Sequence, residues 1–405
     1  MSAATDPDKG GFRLGMLLYD TRYRSMTIQT IALILFLIVI GWLVRNTAQN
    51  LSDLGKPLSF GFLWETAGYD INQRLIEYNS QMTHARAGLV GLLNTLLVAV
   101  LGCITATVIG VTVGVLRLSK NWLVARIMTL YIETFRNVPV LLWILITMAI
   151  FIEIFPQPRE FRGDNATASM KLFDSVALTN RGIYIPSPEF FAGSGSLITV
   201  FVASLIGIIL FGRWAKKRQE MTGITVPSFW IKLAIFIVPS VLAYYILGKP
   251  MGLEYPYLKG FNFRDGFYMR NSLIALWFAL SFYTAAFIAE TVRSGIQSVA
   301  KGQTEAAAAL GLRPGQITRL VVLPQALRVI IPPMISQYLN LIKNSSLAIA
   351  VGYMDITGTL GGITLNQTGR EMESLMIMMV IYLVISLTIS TVMNWYNDRV
   401  KLRER

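Results

Sequence analysis

Glu290, Asn340, Lys343 and Asn344 stand inside or beside apolar runs long enough to cross a bilayer. Ionisable and amide groups are costly in hydrocarbon and persist where they face a cavity, a partner helix or one another. Such groups suit the recognition and passage of a polar solute rather than bond-making. Each also has a plainer reading: Glu290 snorkels or pairs with Arg293, Asn340 bridges two helices, and Lys343 belongs to a buried charge pair. Lys343 lies in a segment that Pro332-Pro333 and Asn344-Ser345-Ser346 are expected to interrupt, and broken helices are tolerated where they line a cavity. No catalytic set accompanies these residues. A single His, His84, and a single Cys, Cys103, exclude a His/Cys metal cluster and an intramolecular disulfide. His84 reads as a solvated loop residue. The two Gly-Lys dipeptides, Gly55-Lys56 and Gly248-Lys249, each precede Pro and lack Walker spacing. No catalytic, metal or cofactor residue is therefore assigned, and the chain is not expected to be an enzyme.

A second polar feature is longer. "KGQTEAAAALGLRPGQITRLVVLPQALRVIIPP", Lys301–Pro333, lies between two apolar runs. Glu305 through Leu310 are strong helix formers. Thr304 is placed to cap them, which puts Glu305 in the first turn. Gly311 suits a helix end and Pro314-Gly315 a turn. Ile317, Leu320, Val321 and Leu323 then give an apolar face, and Leu323-Pro324 opens the climb into the membrane. Spacing alone leaves an ordinary amphipathic connector open.

These features need a scaffold of membrane helices. Of 405 residues, 54% are hydrophobic and only 15% charged, well below the quarter or so typical of soluble domains. Eight apolar runs approach the roughly 20 residues a span requires: 26–44, 88–116, 138–155, 197–211, 229–247, 272–292, 329–349 and 375–393. They are too long and continuous for a β-barrel. The first follows a charged leader with no clear cleavage site and reads as a retained helix. Net charge is +13, and in a polytopic chain this carries orientation rather than nucleic-acid binding. With the N terminus inside, the inner segments hold 22 Lys and Arg and the outer ones 13, with Lys343 in a span. Both termini and the Lys301–Pro324 stretch are then cytoplasmic. The fold class is an all-α polytopic membrane protein of about eight transmembrane helices. The outer loops 45–87 and 157–196 read as polar connections. Asn165 heads a glycosylation tripeptide too short to carry weight.

Glu305-Ala306-Ala307, three residues, Gly311, nine residues, Val321, one residue and Leu323-Pro324 resembles the EAA loop of binding-protein-dependent ABC transporter permeases. Val321 stands where that family usually has Ile. "YIETFRNVPVLL" (131–142), "AFIAETVRSGIQSVAKGQTEAA" (286–307) and "LNLIKNSSLAIAVG" (339–352) are similar to segments of the polar amino acid uptake subfamily, closest to the general L-amino acid type beside the glutamate/glutamine/aspartate/asparagine type.

The resemblance implies a type I ABC importer permease fold over residues 88–400, with an inserted loop and helix pair at about 156–270 and an EAA coupling loop at about 300–324. Residues 1–87 add a leader, a first helix and a periplasmic loop. It implies an ATP-driven amino acid importer of the bacterial inner membrane. Glu305, Ala306, Ala307, Gly311, Leu323 and Pro324 would dock an ATPase subunit, which binds the ATP and Mg this chain does not. The other implied partners are a second, homologous permease forming a heterodimer, a periplasmic amino-acid-binding protein, the amino acid substrate and the lipid; nucleic acid is not among them. Glu290, Asn340, Lys343 and Asn344 are the candidates for the substrate path. An ion-coupled secondary amino acid transporter also fits interrupted helices and intramembrane charges, but leaves the EAA spacing unexplained. A scaffold protein without transport is a third reading.

Overall fold

The computed structural model describes residues 19, 21–163 and 166–400. Most of the charged leader and tail, with Asn165, lies outside them. Among the described residues, eight helices are long and apolar enough to cross a membrane, one at each expected run. In chain order, α1 is Thr21–Asp53, α2 His84–Leu116, α3 Trp122–Asn137 and α4 Val140–Ile154. Strands β1 (Ala177–Thr179), β2 (Gly182–Ile185) and β3 (Ser187–Phe190) lead to α5 (Ser194–Thr222) and α6 (Ser228–Ile246). Strands β4 (Met251–Glu254), β5 (Tyr257–Lys259), β6 (Asn262–Arg264) and β7 (Phe267–Arg270) follow, then α7 (Asn271–Gln297). The remainder is α8 (Lys301–Ala309), α9 (Pro314–Ile317), α10 (Leu323–Asn344), α11 (Leu365–Thr368) and α12 (Glu371–Val400).

The bundle is built around α2 and α7. Most of α7 is buried, although it is not the most apolar span. Its buried face is rich in small residues: Ala275, Ala279, Ala285, Ala286, Ala289 and Gly295. Glycines of α2 meet that face. A Cβ at Gly110 would stand 2.7 Å from Ile288 Cβ, and one at Gly114 2.7 Å from the Ala289 carbonyl oxygen. Close backbone approach through small residues is how helices associate where lipid removes the hydrophobic drive. Helices α4 and α10 pack on the same core through Ile144, Ile330 and Leu341.

Helix α3 was not expected as an element. Its strong two-sidedness comes from apolar residues broken by Arg126, Glu133 and Arg136, so no span-length window marks it. It packs on α7, and Tyr131 donates to the Phe282 carbonyl at 2.6 Å. Asn121 caps it through Oδ1. Pro139 stands just before α4 with ψ 137°.

At the end of the bundle where α7 begins, the polar loops fold into short antiparallel strands. β1, β2 and β7 form one sheet, while β3 pairs β4 and β5 pairs β6. Ala177, Tyr184 and Phe263 make a small separate core there. We call this the strand end and the opposite one the loop end. Helices α5 and α6 pack chiefly on each other, and the transmembrane window of α1 is wholly unburied. Beyond α1, Arg370 donates to the Pro57 carbonyl at 2.6 Å and Glu373 accepts from the Ser59 N–H at 3.0 Å. Those bonds clamp the segment that follows α1 to the start of α12.

Candidate functional site: coupling loop and polar path

The loop begins one turn earlier than expected. α8 starts at Lys301 with Ala300 at its boundary, so Thr304 is inside the helix and not its cap. Its hydroxyl donates back to the Lys301 carbonyl at 2.6 Å, and Glu305 falls in the second turn. The helix can start here because the Gln303 N–H already finds the Ala300 carbonyl at 3.0 Å. Its end is as expected. Gly311 has φ +78°, and the N–H groups of Gly311 and Leu312 close on the carbonyls of Ala308 and Ala307 at 2.9 and 3.3 Å. This left-handed closure is glycine's usual place at a helix terminus.

Glu305, Ala306 and Gly311 are exposed, whereas Ala307 is buried and Pro324 half-buried. Leu310 and Leu320 add apolar surface, 82% and 62% exposed. A π-helical turn at Thr318–Val322 joins α9 to α10. Pro324, lacking an N–H, then sits in the first turn of α10, where none is needed. Gln325 donates to Gln303 at 3.4 Å, tying α10 back to α8.

Helix α10 carries the path candidates. It is not interrupted at Pro332-Pro333, as the sequence suggested; both prolines lie within one helix that changes to 3-10 geometry only at Ser345. Ser336, Asn340 and Lys343 are exposed, four and three residues apart, and so share one helix face. Ile331, Ile335 and Ile342 are buried on the other side. Asn344 is half-buried beside the stripe. Among the described residues Lys343 makes no ion pair within this chain.

Glu290 is elsewhere. It lies near the loop end of α7, whereas Lys343 is some twenty residues up α10, roughly 30 Å at helical rise. Its carboxylate pairs with Arg117 from the end of α2 and with Arg293 at 2.6 Å. Arg117 also reaches Glu133 of α3 at 3.8 Å and Thr129 at 3.2 Å, and Arg136 lies over the Phe287 ring, 5.5 Å from its centroid. The cluster holds three helices together immediately before the loop.

Residues 221–405 match the family described as binding-protein-dependent transport system inner membrane component. The chain is 55% identical to the glutamate/glutamine/aspartate/asparagine transport system permease protein BztB of Rhodobacter capsulatus, over all of both chains. It belongs to the permease family of amino acid ABC transporters. It is also 44% identical to the general L-amino acid transport system permease protein AapQ of Rhizobium johnstonii, over 98% of this chain and 96% of that one. A putative amino-acid ABC transporter permease protein of Escherichia coli, YhdX, is likewise 44% identical, over 94% and 95%. Membership favours an ABC permease over an ion-coupled secondary carrier and makes this a multi-pass membrane protein.

One part of this permease was not legible in its sequence. Between the seventh and eighth spans, Gly352–Gly369 folds back against α2. Thr95 Oγ1 accepts from the Ile356 N–H at 3.1 Å, and Asn94 donates to the carbonyls of Gln73 and Met354 at 2.7 and 2.8 Å. Gly91 admits this segment, since a Cβ there would stand 2.2 Å from Thr359 Oγ1. His84, expected to be solvated, is only 3% exposed. Its Nδ1 and the Tyr69 hydroxyl both lie 3.0 Å from Thr364 Oγ1. The segment preceding α2 covers it, through the cluster of Ala67, Tyr69, Ile71 and Tyr78.

Asp355 is the buried acid of this fold-back. Gly358 N–H donates to it at 2.8 Å and the Tyr382 hydroxyl approaches at 3.4 Å. Burial nevertheless pushes its carboxyl up to about 7. A folded-state value above the unfolded one means that its contribution to stability is complete below the unfolded range and is lost as pH rises through about 7. Asp355→Asn should therefore flatten the pH dependence of thermal unfolding in detergent and stabilise the protein above neutrality, by up to about 4 kcal/mol. Parallel pH profiles for the two proteins would show that Asp355 does not govern this dependence.

Proposed function

We propose that this permease is a transmembrane subunit of an ATP-driven importer of acidic and amide amino acids in the bacterial inner membrane. The carrying observation is that one helix, α10, begins in the exposed loop and bears the exposed polar face. Displacement of the loop by an ATPase would therefore move the path itself. The N and C termini and the loop face the cytoplasm, and the strand end faces the periplasm, where an amino-acid-binding protein delivers substrate.

Glu305, Ala306 and Gly311 form the docking surface, with Leu323 flanking it, while Ala307 and Pro324 hold its shape. ATP and Mg bind on the ATPase, not on this chain. The apolar outer surface of the bundle meets lipid, and a second permease closes the path opposite Asn340, Lys343 and Asn344. Residues 88–400 form the transmembrane domain, interrupted at about 156–270, and residues 1–87 add the first helix. The 55% identical relative is named for glutamate, glutamine, aspartate and asparagine. An unpaired ammonium at Lys343 suits the side-chain carboxylate of two of these.

The test is uptake by the complex in vesicles that enclose ATP, with and without imposed ion gradients. ATP-dependent uptake that survives collapse of the gradients is expected; uptake driven by a gradient without the ATPase would overturn the reading. In the same vesicles Lys343→Ala should lower glutamate and aspartate uptake at least about tenfold relative to glutamine and asparagine, the effect of losing one charged hydrogen bond. An equal loss for all four would remove Lys343 from selection.

A further inference from the structure

The hairpin of α5 and α6 is open to its surroundings along most of its length, and its loop-end tip has a composition that transport does not explain. The apolar stretch of α5 ends near Phe211, yet the helix continues to Thr222. Those last eleven residues extend about 16 Å further, beyond the hydrocarbon and through the headgroup layer. They carry Arg213, Lys216, Lys217 and Arg218, all exposed. Lys232 of α6 joins them, its side chain lying against Gly212, where an added Cβ would stand 3.4 Å from its Nζ. The only acid paired with these cations among the described residues is Glu220, 3.9 Å from Lys216 and itself largely exposed.

Aromatic and apolar side chains are interleaved with the charges. Trp214 is 50% exposed and lies under the Arg218 guanidinium, 5.2 Å from the ring centroid. Phe229 and Trp230 project from the start of α6, 68% and 69% exposed, with exposed Met221 in the last turn of α5 and exposed Ile224 in the connection between the helices. Tryptophan and phenylalanine at this depth occupy the boundary between acyl chains and headgroups. Clustered cations immediately beside them attract anionic headgroups, each contributing while it stays within a Debye length of the surface.

We propose that the α5–α6 tip is a binding surface for anionic phospholipid headgroups, with Arg213, Lys216, Lys217 and Arg218 as the phosphate-facing cations and Trp214, Phe229 and Trp230 as its interfacial anchors. The partner is lipid rather than protein because the charges stand at headgroup depth and the apolar residues flank them at the same level. The surface is independent of the loop at α8, so its occupation sets how the hairpin is held beside the core, not whether the ATPase docks.

The purified complex is reconstituted in phosphatidylcholine with and without phosphatidylglycerol, and lipid selectivity is read with spin-labelled lipids. The intact protein should prefer phosphatidylglycerol, and added salt should weaken that preference. Replacing all four cations (Arg213→Gln, Lys216→Gln, Lys217→Gln, Arg218→Gln) should lower it about threefold or more. The double variant Lys216→Gln, Lys217→Gln leaves Arg213, Arg218 and Lys232 to hold the hairpin's orientation, and should give an intermediate loss. Both variants should retain ATPase association and ATP-driven uptake in phosphatidylcholine alone, a readout that fails separately if the transport reading is wrong. Unchanged lipid selectivity in the quadruple variant would overturn the proposal. Loss of ATPase association with selectivity intact would also overturn it and make the tip a protein interface.

Discussion

Gly110→Leu is expected to leave almost no folded permease in the membrane. Position 110 is the tightest crossing of the two central helices: a Cβ would lie 2.7 Å from both Cβ and Cγ2 of Ile288 and 2.9 Å from the Ala285 carbonyl oxygen. One of these neighbours is backbone and another is the branch point of a buried, stiff side chain, so neither can move aside locally. Inserting even a methyl must separate α2 from α7, and leucine adds three further carbons. Overpacking in a well-filled core costs about 1–3 kcal/mol and sometimes more, and here the displaced pair positions every other helix of the core. The internal control is Gly41→Leu in α1, where nothing lies within 4 Å of an added Cβ. Detergent extraction followed by size-exclusion chromatography should show a monodisperse peak for Gly41→Leu and loss of that peak for Gly110→Leu. A normal peak and melting temperature for Gly110→Leu would mean that α2 and α7 do not meet as described.

Gly311→Val should have the opposite profile, with fold retained and function lost. Nothing lies within 4 Å of a Cβ at position 311, so the substitution creates no clash. Its cost is conformational: φ is +78°, a region that a β-branched residue resists by roughly 1–3 kcal/mol. That strain is relieved most readily by unwinding the exposed closure of α8, which moves Glu305 and Ala306 relative to α10. ATPase copurification and ATP-driven uptake should both collapse while the melting temperature stays within a few degrees of the parent. Gly311→Asn is the discriminating companion, because asparagine tolerates the left-handed conformation. It should retain a substantial part of both activities. Full coupling in Gly311→Val would refute the assignment of this loop as the docking element.

The parts of the fold that follow from local composition were legible in the sequence. Long apolar runs gave all eight spans, because hydrocarbon leaves a lone segment few options besides a helix. Gly311 was legible because one residue type dominates left-handed helix ends. The exposed face of Asn340 and Lys343 was legible as polar residues in an apolar run, although the helix continues through Pro332-Pro333 rather than breaking there. What failed depended on partners distant in sequence. Helix α3 has too little apolar length to announce itself and is defined by the face it lays on α7. His84 is buried because Thr364 and Tyr69 await it; for Glu290 the pairing with nearby Arg293 was legible and is present, but its second partner, Arg117, lies 173 positions away. Thr304 looked like a cap because the true start, at Lys301, is set by the chain arriving from α7. The strands at 177–190 and 251–270 have edges of three or four residues each, too short for alternation to be read with any force.

The clamp that joins Pro57 and Ser59 to Arg370 and Glu373 also orders events during synthesis. Its two halves are separated by more than 300 positions. At about 5–20 residues per second, the second half leaves the ribosome roughly 15–60 s after the first. Throughout that interval α1 resides in the bilayer without these bonds, while the central pair and the hairpin are inserted. The segment that follows α1 is thus made early and clamped late. A chain truncated before Arg370 would retain all the contacts between α2 and α7 and still lack the clamp on the segment that follows α1.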